Sequence, residues 1–246
     1  MKVLFWDTEN SPMLSYHWGR WQQNISPIQT LEEARILCFG AKWLGGAYIF
    51  KAAYETGVQD MLETISALLT EADVVVSWNG VRHDSKKIRT EFLLEGMDPP
   101  APWRDKDVDL MRAVKAQFSF SSNSLDHVSK QLGVGEKVKH EGFFDIIPKV
   151  MAGDPKARAA FAKYQKQDVL LLEKLYEKLL PWIPVHPNVA LINNIADGCP
   201  RCGSTKLERR GFRRTTASTF QRYQCENGHW SSGAHRLATT ALRPTA

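Results

Sequence analysis

Phe5-Trp6-Asp7-Thr8-Glu9-Asn10-Ser11-Pro12 closes the first apolar run of the chain, and the two acids at its end decide how the other segments are read. Residues 2–7 have the make-up of a short strand, which Asn10-Ser11-Pro12 breaks. Asp7 and Glu9 stand at i and i+2, so both carboxylates leave one face of the strand at its exposed end. Two carboxylates this close repel each other unless a cation lies between them. An Asp-x-Glu pair alone is a weak signal, because surface strands carry such pairs by chance. Two further acidic sites give it weight.

The second is Trp78-Asn79-Gly80-Val81-Arg82-His83-Asp84. Residues 73–78 are a β-branched run that reads as a buried strand. The run ends in Asn-Gly, and Asp84 opens a helix. An acid there also has a structural explanation, since carboxylates favour helix N-termini. The third is Tyr164-Gln165-Lys166-Gln167-Asp168, inside the longest helical pattern, residues 157–180. Tyr164 and Asp168 are four apart and share a helix face, which Leu171, Leu172 and Leu175 mark as at least partly buried. A buried Asp needs a partner or a metal; the alternative is a surface Asp beside a core Tyr.

Around these sites the elements follow in order. Residues 34–44 and 47–53 read as strands joined by Gly45-Gly46, a hairpin signal. Residues 59–72 place Met61, Ile65, Leu68 and Leu69 at helical spacing. Residues 84–94 read as a helix, and residues 107–110 as a short strand running into another towards Phe118. Ser124 caps a helix that Gly133 stops. This order by itself predicts an α/β fold.

The 246 residues suit one medium domain with an appendage, and 43% hydrophobic content is ample for a core. No apolar run is long enough to cross a membrane, and an acid arrives too early for a secretory leader. Cys38 stands alone, while Cys199, Cys202 and Cys225 cluster late, a pattern of reduced thiols and a metal site rather than disulfides. These features predict a cytoplasmic protein with no membrane partner. Residues 199–246 hold nine Lys and Arg against two acids, a net +7, whereas the whole chain carries +5, which leaves −2 on residues 1–198. An acidic body that holds cations and a basic appendage that holds a polyanion fit this division; a solvated basic tail is the plainer alternative.

The three acidic segments, in this order, resemble the three motifs of the DEDD 3′–5′ exonuclease superfamily. They resemble its tyrosine-bearing branch (DEDDy), because Tyr164 stands four residues before the last Asp. Trp78-Asn79-Gly80, Ser124-Leu125-Asp126-His127-Val128 and Gly133-Val134-Gly135-Glu136-Lys137 support the likeness, which covers roughly residues 1–185 and extends to phage stand-alone exonucleases and family B DNA polymerase exonuclease domains. It implies a ribonuclease H-like mixed sheet whose first three strands are antiparallel, with helices on both faces. It further implies a metal-dependent exonuclease on single-stranded DNA, working beside replication or recombination proteins. A ribonuclease or structure-selective nuclease of the same fold, or a non-catalytic nucleic-acid adaptor, is the alternative. By the same resemblance Asp7, Glu9, Asp84 and Asp168 would hold two Mg²⁺ or Mn²⁺ ions. Tyr164 would orient the attacking water, and Asn79 would shape the substrate side. His83 stands where the family usually has Phe.

Cys199-Pro200-Arg201-Cys202 has the spacing of a metal knuckle, and Cys225 with His229 completes a three-Cys, one-His set for one Zn²⁺. Residues 199–230 resemble a zinc ribbon, although a second knuckle would usually place Cys where Gly228 stands; His235 is the poorer alternative for the fourth ligand. Arg209, Arg210, Arg213, Arg214 and Arg222, among Phe212, Phe220, Tyr223 and Trp230, read as a nucleic-acid-binding face. The expected division is an exonuclease domain at 1–182, a Pro-rich connector at 183–198, the ribbon at 199–232 and a patternless tail at 233–246. Trp18 and Trp21 are read as packing against the cleft edge rather than stacking on a base. His127 and His140 are read as hydrogen-bonded or surface histidines.

Overall fold

A computed structural model describes residues 1–138 and 142–241; residues 139–141, His140 among them, and residues 242–246 lie outside the described residues. Two compact units emerge, Lys2–Glu177 and, with Met1, Lys178–Ala246.

The first unit opens with β1 (Val3–Asn10), a small ribbon of β2 (Leu14–Ser15) and β3 (Thr30–Glu32), and then β4 (Ile36–Trp43) and β5 (Tyr48–Ala52). Helices α1 (Ala53–Thr56) and α2 (Val58–Glu71) lead to β6 (Val74–Ser77), and α3 (Asp84–Leu94) leads to β7 (Asp107–Asp109). Four helices follow: α4 (Leu110–Gln117), α5 (Leu125–Gln131), α6 (Phe143–Met151) and α7 (Pro155–Leu179). The main sheet has the order β5-β4-β1-β6-β7. β1, β4 and β5 are antiparallel neighbours, whereas β6 and β7 run parallel to β1. Chemistry in the connections explains the change of direction. The tight Gly45-Gly46 turn closes a hairpin, while parallel strands need the helical crossovers α2 and α3.

The first half of β1, Val3–Trp6, reads as an unbroken apolar run because both its faces are covered. Leu4 and Trp6 sit in a buried cluster with Ile65, Leu69, Phe92 and Trp103, on the side of α2 and α3. Phe5, on the opposite side, meets Tyr176 of α7 edge to face at 5.5 Å. On that second face Cys38 and Ala52 pack with Ile146, Ile147 and Val150 of α6 and Phe161 of α7. Lys42 of β4 and Glu173 of α7 form a largely buried ion pair at 2.8 Å, and Glu173 also accepts the Gly45 amide at 2.8 Å. α7 is thereby tied to the β4–β5 hairpin. Its start is set by Asp154, whose carboxylate accepts the Lys156 and Ala157 amides, with Pro155 at the first helical position.

The second unit holds α8 (Val189–Ile192) and an antiparallel sheet of order β10-β9-β8, built from β8 (Leu207–Arg214), β9 (Ser218–Cys225) and β10 (Trp230–Thr239). Residues 183–198, expected as a connector, hold α8, with Val189 and Ala190 buried and the Val189 amide donating to Pro200 O at 2.9 Å. One expectation changes here. The stretch from Gly233 is not a patternless tail up to Thr239, because β10 pairs with β9 along it. Its side chains from Ala234 on are exposed, so no apolar alternation announces the strand. Among the described residues no helix is long and apolar enough to cross a membrane.

Candidate active site

The parity of β1 builds the site. Asp7 and Glu9 share the face of Phe5 and point towards α7, where Asp168 is 2% exposed and Tyr164 is buried. One carboxylate oxygen from each of Asp7, Glu9 and Asp168 lies within 4.8 Å of the others. Thr8, between them, faces the other way, and its Oγ1 donates to Asp84 Oδ1 at 2.5 Å. Asp84 therefore lines the same cleft, of about 480 Å³, from the first turn of α3 and outside the tight trio.

A close approach fixes Asp7. Gly40 stands directly across from it in the β1–β4 register. The wholly buried Gln165 of α7 lies against Gly40, donating from Nε2 to Asp7 O at 2.7 Å and accepting from Tyr48 Oη at 2.8 Å. A Cβ at position 40 would stand 1.8 Å from Gln165 Oε1. The absence of a side chain there lets α7 descend far enough for Asp168 to reach the strand.

Lys137 was not among the candidates. Its Nζ donates to Asp168 Oδ2 and, at 2.8 Å, to Tyr164 Oη. Its position is held by Asp126, which accepts the Lys137 amide at 2.9 Å, and by Gln167, which donates to Glu136 O at 2.9 Å. The only sequence signal was the Gly133–Lys137 stretch itself, because a lysine in an irregular loop carries no period. Asp109, also unforeseen, accepts the Asn79 amide at 3.0 Å and caps α4. It thereby holds Asn79 in a left-handed conformation, φ +65°, on the cleft wall. His83 is an exposed rim residue whose Nδ1 lies 3.6 Å from Asp84 Oδ1, and this contact raises its pKa. Trp18 and Trp21 do not pack: they are 101% and 81% exposed. His127 fits its reading, with its ring 3.1 Å from Ser121 Oγ.

The electrostatics are those of a site short of positive charge. Burial first, then the neighbouring carboxylates, raises the Asp7 carboxyl well above its usual range. The same causes push Glu9 up to about 8. Burial also raises Asp168, against the pull of Lys137. Burial depresses the Lys137 ammonium, but Asp168 and Tyr164 outweigh it and keep the group charged. Among the described residues Asp168 Oδ1 is buried without a hydrogen-bond partner. A hard oxygen donor set with an orphaned carboxylate oxygen fits Mg²⁺ or Mn²⁺.

In the second unit Cys199, Cys202, Cys225 and His229 bring one ligand atom each within 4.8 Å of the others, while His235 is exposed on β10. Cys202 and Cys225 Sγ are 3.9 Å apart, and Cys199 Sγ is 3.9 Å from His229 Nδ1. The extra residue before His229 is absorbed by Gly228 at φ +79°, with the Gly228 amide donating to Cys225 O and the Cys225 amide to His229 O. Thiol and imidazole donors at this spacing fit Zn²⁺. The five arginines are all exposed but do not form one face. Consecutive Arg213 and Arg214 leave opposite sides of β8, and Arg210 pairs with Glu208 at 2.6 Å. Arg213 and Arg222 line a groove of about 430 Å³ with Trp230, the Arg222 guanidinium lying 5.8 Å from the indole centroid.

The family model of the RNase H superfamily matches residues 32–180, more than half of the chain, and the chain belongs to that superfamily. The match contains Asp84, Tyr164 and Asp168 and begins after Asp7 and Glu9. The structure is similar to the family B DNA polymerase from the hyperthermophilic archaeon Pyrobaculum calidifontis, with a TM-score of 0.54 and 19% identity. The alignment covers 73% of this chain and 24% of that polymerase, so the likeness is one of fold and spans about a quarter of the larger protein. No curated protein matches the chain.

Two outcomes test this geometry. Gly40→Ala drives a Cβ into Gln165 and is expected to lower stability by about 1–3 kcal/mol in chemical denaturation, and to weaken divalent-cation binding measured by calorimetry. An unchanged midpoint and affinity would show that Gln165 does not hold Asp7. The second concerns pH. Carboxyls raised in the fold add stability below their unfolded pKa and lose it as pH rises through the folded value. Without added divalent cations the melting temperature therefore falls between about pH 5 and pH 8. Mg²⁺ or Mn²⁺ raises it more at pH 8 than at pH 5; an equal rise at both would contradict the assignment.

Proposed function

We propose that this protein is a metal-dependent 3′–5′ exonuclease that hydrolyses single-stranded DNA to nucleoside monophosphates. The observation that carries this reading is the convergence of Asp7, Glu9 and Asp168 with Tyr164 and Lys137 in one cleft, faced by Asp84. When bound, two Mg²⁺ or Mn²⁺ ions supply an activated water and stabilise the leaving 3′-oxygen. Asp7, Glu9 and Asp168 would hold one ion and Asp7 with Asp84 the other. Tyr164, its hydroxyl held by Lys137, orients the water, and the Lys137 ammonium offsets charge on the phosphate. Asn79 and His83 line the substrate side, with the His83 ring in place of an aromatic wall. The fold likeness to a DNA polymerase favours DNA over RNA.

In the second unit Cys199, Cys202, Cys225 and His229 would hold a structural Zn²⁺. The groove of Arg213, Arg222 and Trp230 offers guanidinium groups to phosphate and a π face to a base. Arg209, Arg210 and Arg214 add sequence-independent attraction.

End-labelled single-stranded DNA and RNA, incubated with Mg²⁺, Mn²⁺ or EDTA, provide the test. Stepwise loss of DNA from the 3′ end only with a divalent ion is expected. Asp7→Ala and Asp168→Ala abolish it with the fold intact by circular dichroism, and Tyr164→Phe slows it roughly 10²-fold. Cleavage by Asp7→Ala at the wild-type rate would sink the mechanism. For the ribbon, metal analysis of the purified protein is expected to return one zinc per chain, lost in Cys202→Ser; a zinc-free protein with an intact ribbon would remove that assignment.

A further inference from the structure

The arm between β1 and β4, residues 11–35, has no part in the hydrolytic chemistry, yet it leaves the sheet two residues beyond Glu9. Its base is closed by the Ser11 amide donating to Arg35 O at 2.9 Å. Further out it is a built ribbon: β2 pairs with β3, the Tyr16 amide donates to Gln29 O at 2.8 Å, and the Gln29 side chain returns to Tyr16 O at 3.1 Å. At its tip the local bonds hold the turn, Gln23 Nε2 to Trp21 O at 2.7 Å and His17 Nδ1 to Gly19 O at 2.6 Å. What this scaffold presents is aromatic. Trp18 and Trp21 lie fully open and Tyr16 is 70% exposed.

Exposing two indoles to water is unfavourable unless something covers them part of the time. The occupant is indicated by composition. From Asn10 to Leu31 there is no acidic residue, while Arg20 stands between the two tryptophans and His17 beside them, in a first unit that is otherwise acid-rich. Flat π faces interleaved with a cation and with the amides of Gln22, Gln23 and Asn24 match bases on a phosphate backbone. We infer that this arm is a stacking platform for the unpaired bases of single-stranded DNA, gripping the strand beside the cleft. The inference rests on the nuclease reading for the identity of the strand, and on the arm alone for how the strand is held. Ile28 and Leu31 are open on the same ribbon; a protein partner, or a second copy of the chain, would take these aliphatic side chains together with the indoles, and the experiment separates that outcome.

Binding of fluorescein-labelled oligo(dT) to the full chain in buffer without added Mg²⁺, Mn²⁺ or chelator, read by anisotropy and by quenching of tryptophan emission, is the measurement. Trp18→Ala and Trp21→Ala are each expected to raise Kd about tenfold, whereas Trp18→Phe and Trp21→Phe stay close to wild type. Melting temperatures are expected to be unchanged, because the side chains are exposed. Binding of duplex DNA is expected to be insensitive to all four. Wild-type affinity for oligo(dT) in both alanine variants overturns the proposal. So does self-association of the wild type in sedimentation that the alanine variants lose while oligo(dT) binding persists. Hydrolysis of the p-nitrophenyl ester of thymidine 5′-monophosphate by the wild type with Mn²⁺ reports the nuclease chemistry separately. If the ester and DNA both survive but the alanine variants lose oligo(dT), the nuclease reading falls and the platform stands; the reverse pattern removes only the platform.

Discussion

Alternation along one strand is the constraint on which this molecule depends. β1 is covered on both sides, so each successive residue is committed to one helical layer or the other. Phe5, Asp7 and Glu9 are committed to α7, and Leu4, Trp6 and Thr8 to α2 and α3. A shift of one residue would bury the acids among Ile65, Leu69 and Phe92 and expose the indole of Trp6 to the cleft. The apolar part of the strand thus sets the register that aims its polar end.

The same strand collects charge from both layers. From one side α7 supplies Asp168 and, through Gln165, a grip on Asp7 that exists only because Gly40 has no side chain. From the other side Thr8 reaches Asp84 at the start of α3. Burial and the neighbouring carboxylates raise the proton affinity of Asp7 and Glu9, and Lys137 answers only part of that charge. The arrangement costs stability in the protein alone, a cost that cations sharing the oxygens would offset. The Cys-and-His cluster of the second unit repeats the logic with softer donors: Gly228 absorbs one extra residue, and His229 then lies beside the thiols.

Much of this was legible because it is local. Paired acids at i and i+2, a Tyr and an Asp four apart, a Gly-Gly hairpin and a Ser cap each state their consequence within a few residues, and the structure follows them closely in α2, α3 and β6. What escaped had no local signature. α6 carries Pro148 inside it and follows a glycine-rich stretch, which obscures its helical period. β10 is exposed along most of its length and is held by backbone pairing, so alternation never marks it. Lys137 sits in an irregular loop whose position is set by Asp126 and by Gln167, which belongs to a distant helix. Trp18 and Trp21 failed in the other direction: bulky apolar residues are ordinarily read as buried, and only the extended arm shows that no described residue covers them.

The sequence by itself determined the α/β class, the helix and strand that carry each acid, and the four side chains of the Cys-and-His set, because periodicity and ligand spacing are properties of short segments. The tertiary structure decided which acids meet, that Lys137 stands between Tyr164 and Asp168, that five arginines divide between two faces, and that two tryptophans remain in water. Those outcomes depend on the register of β1 against β4 and on how closely α7 approaches the sheet at Gly40. Both are set by packing between segments far apart in the chain, which no window of sequence contains.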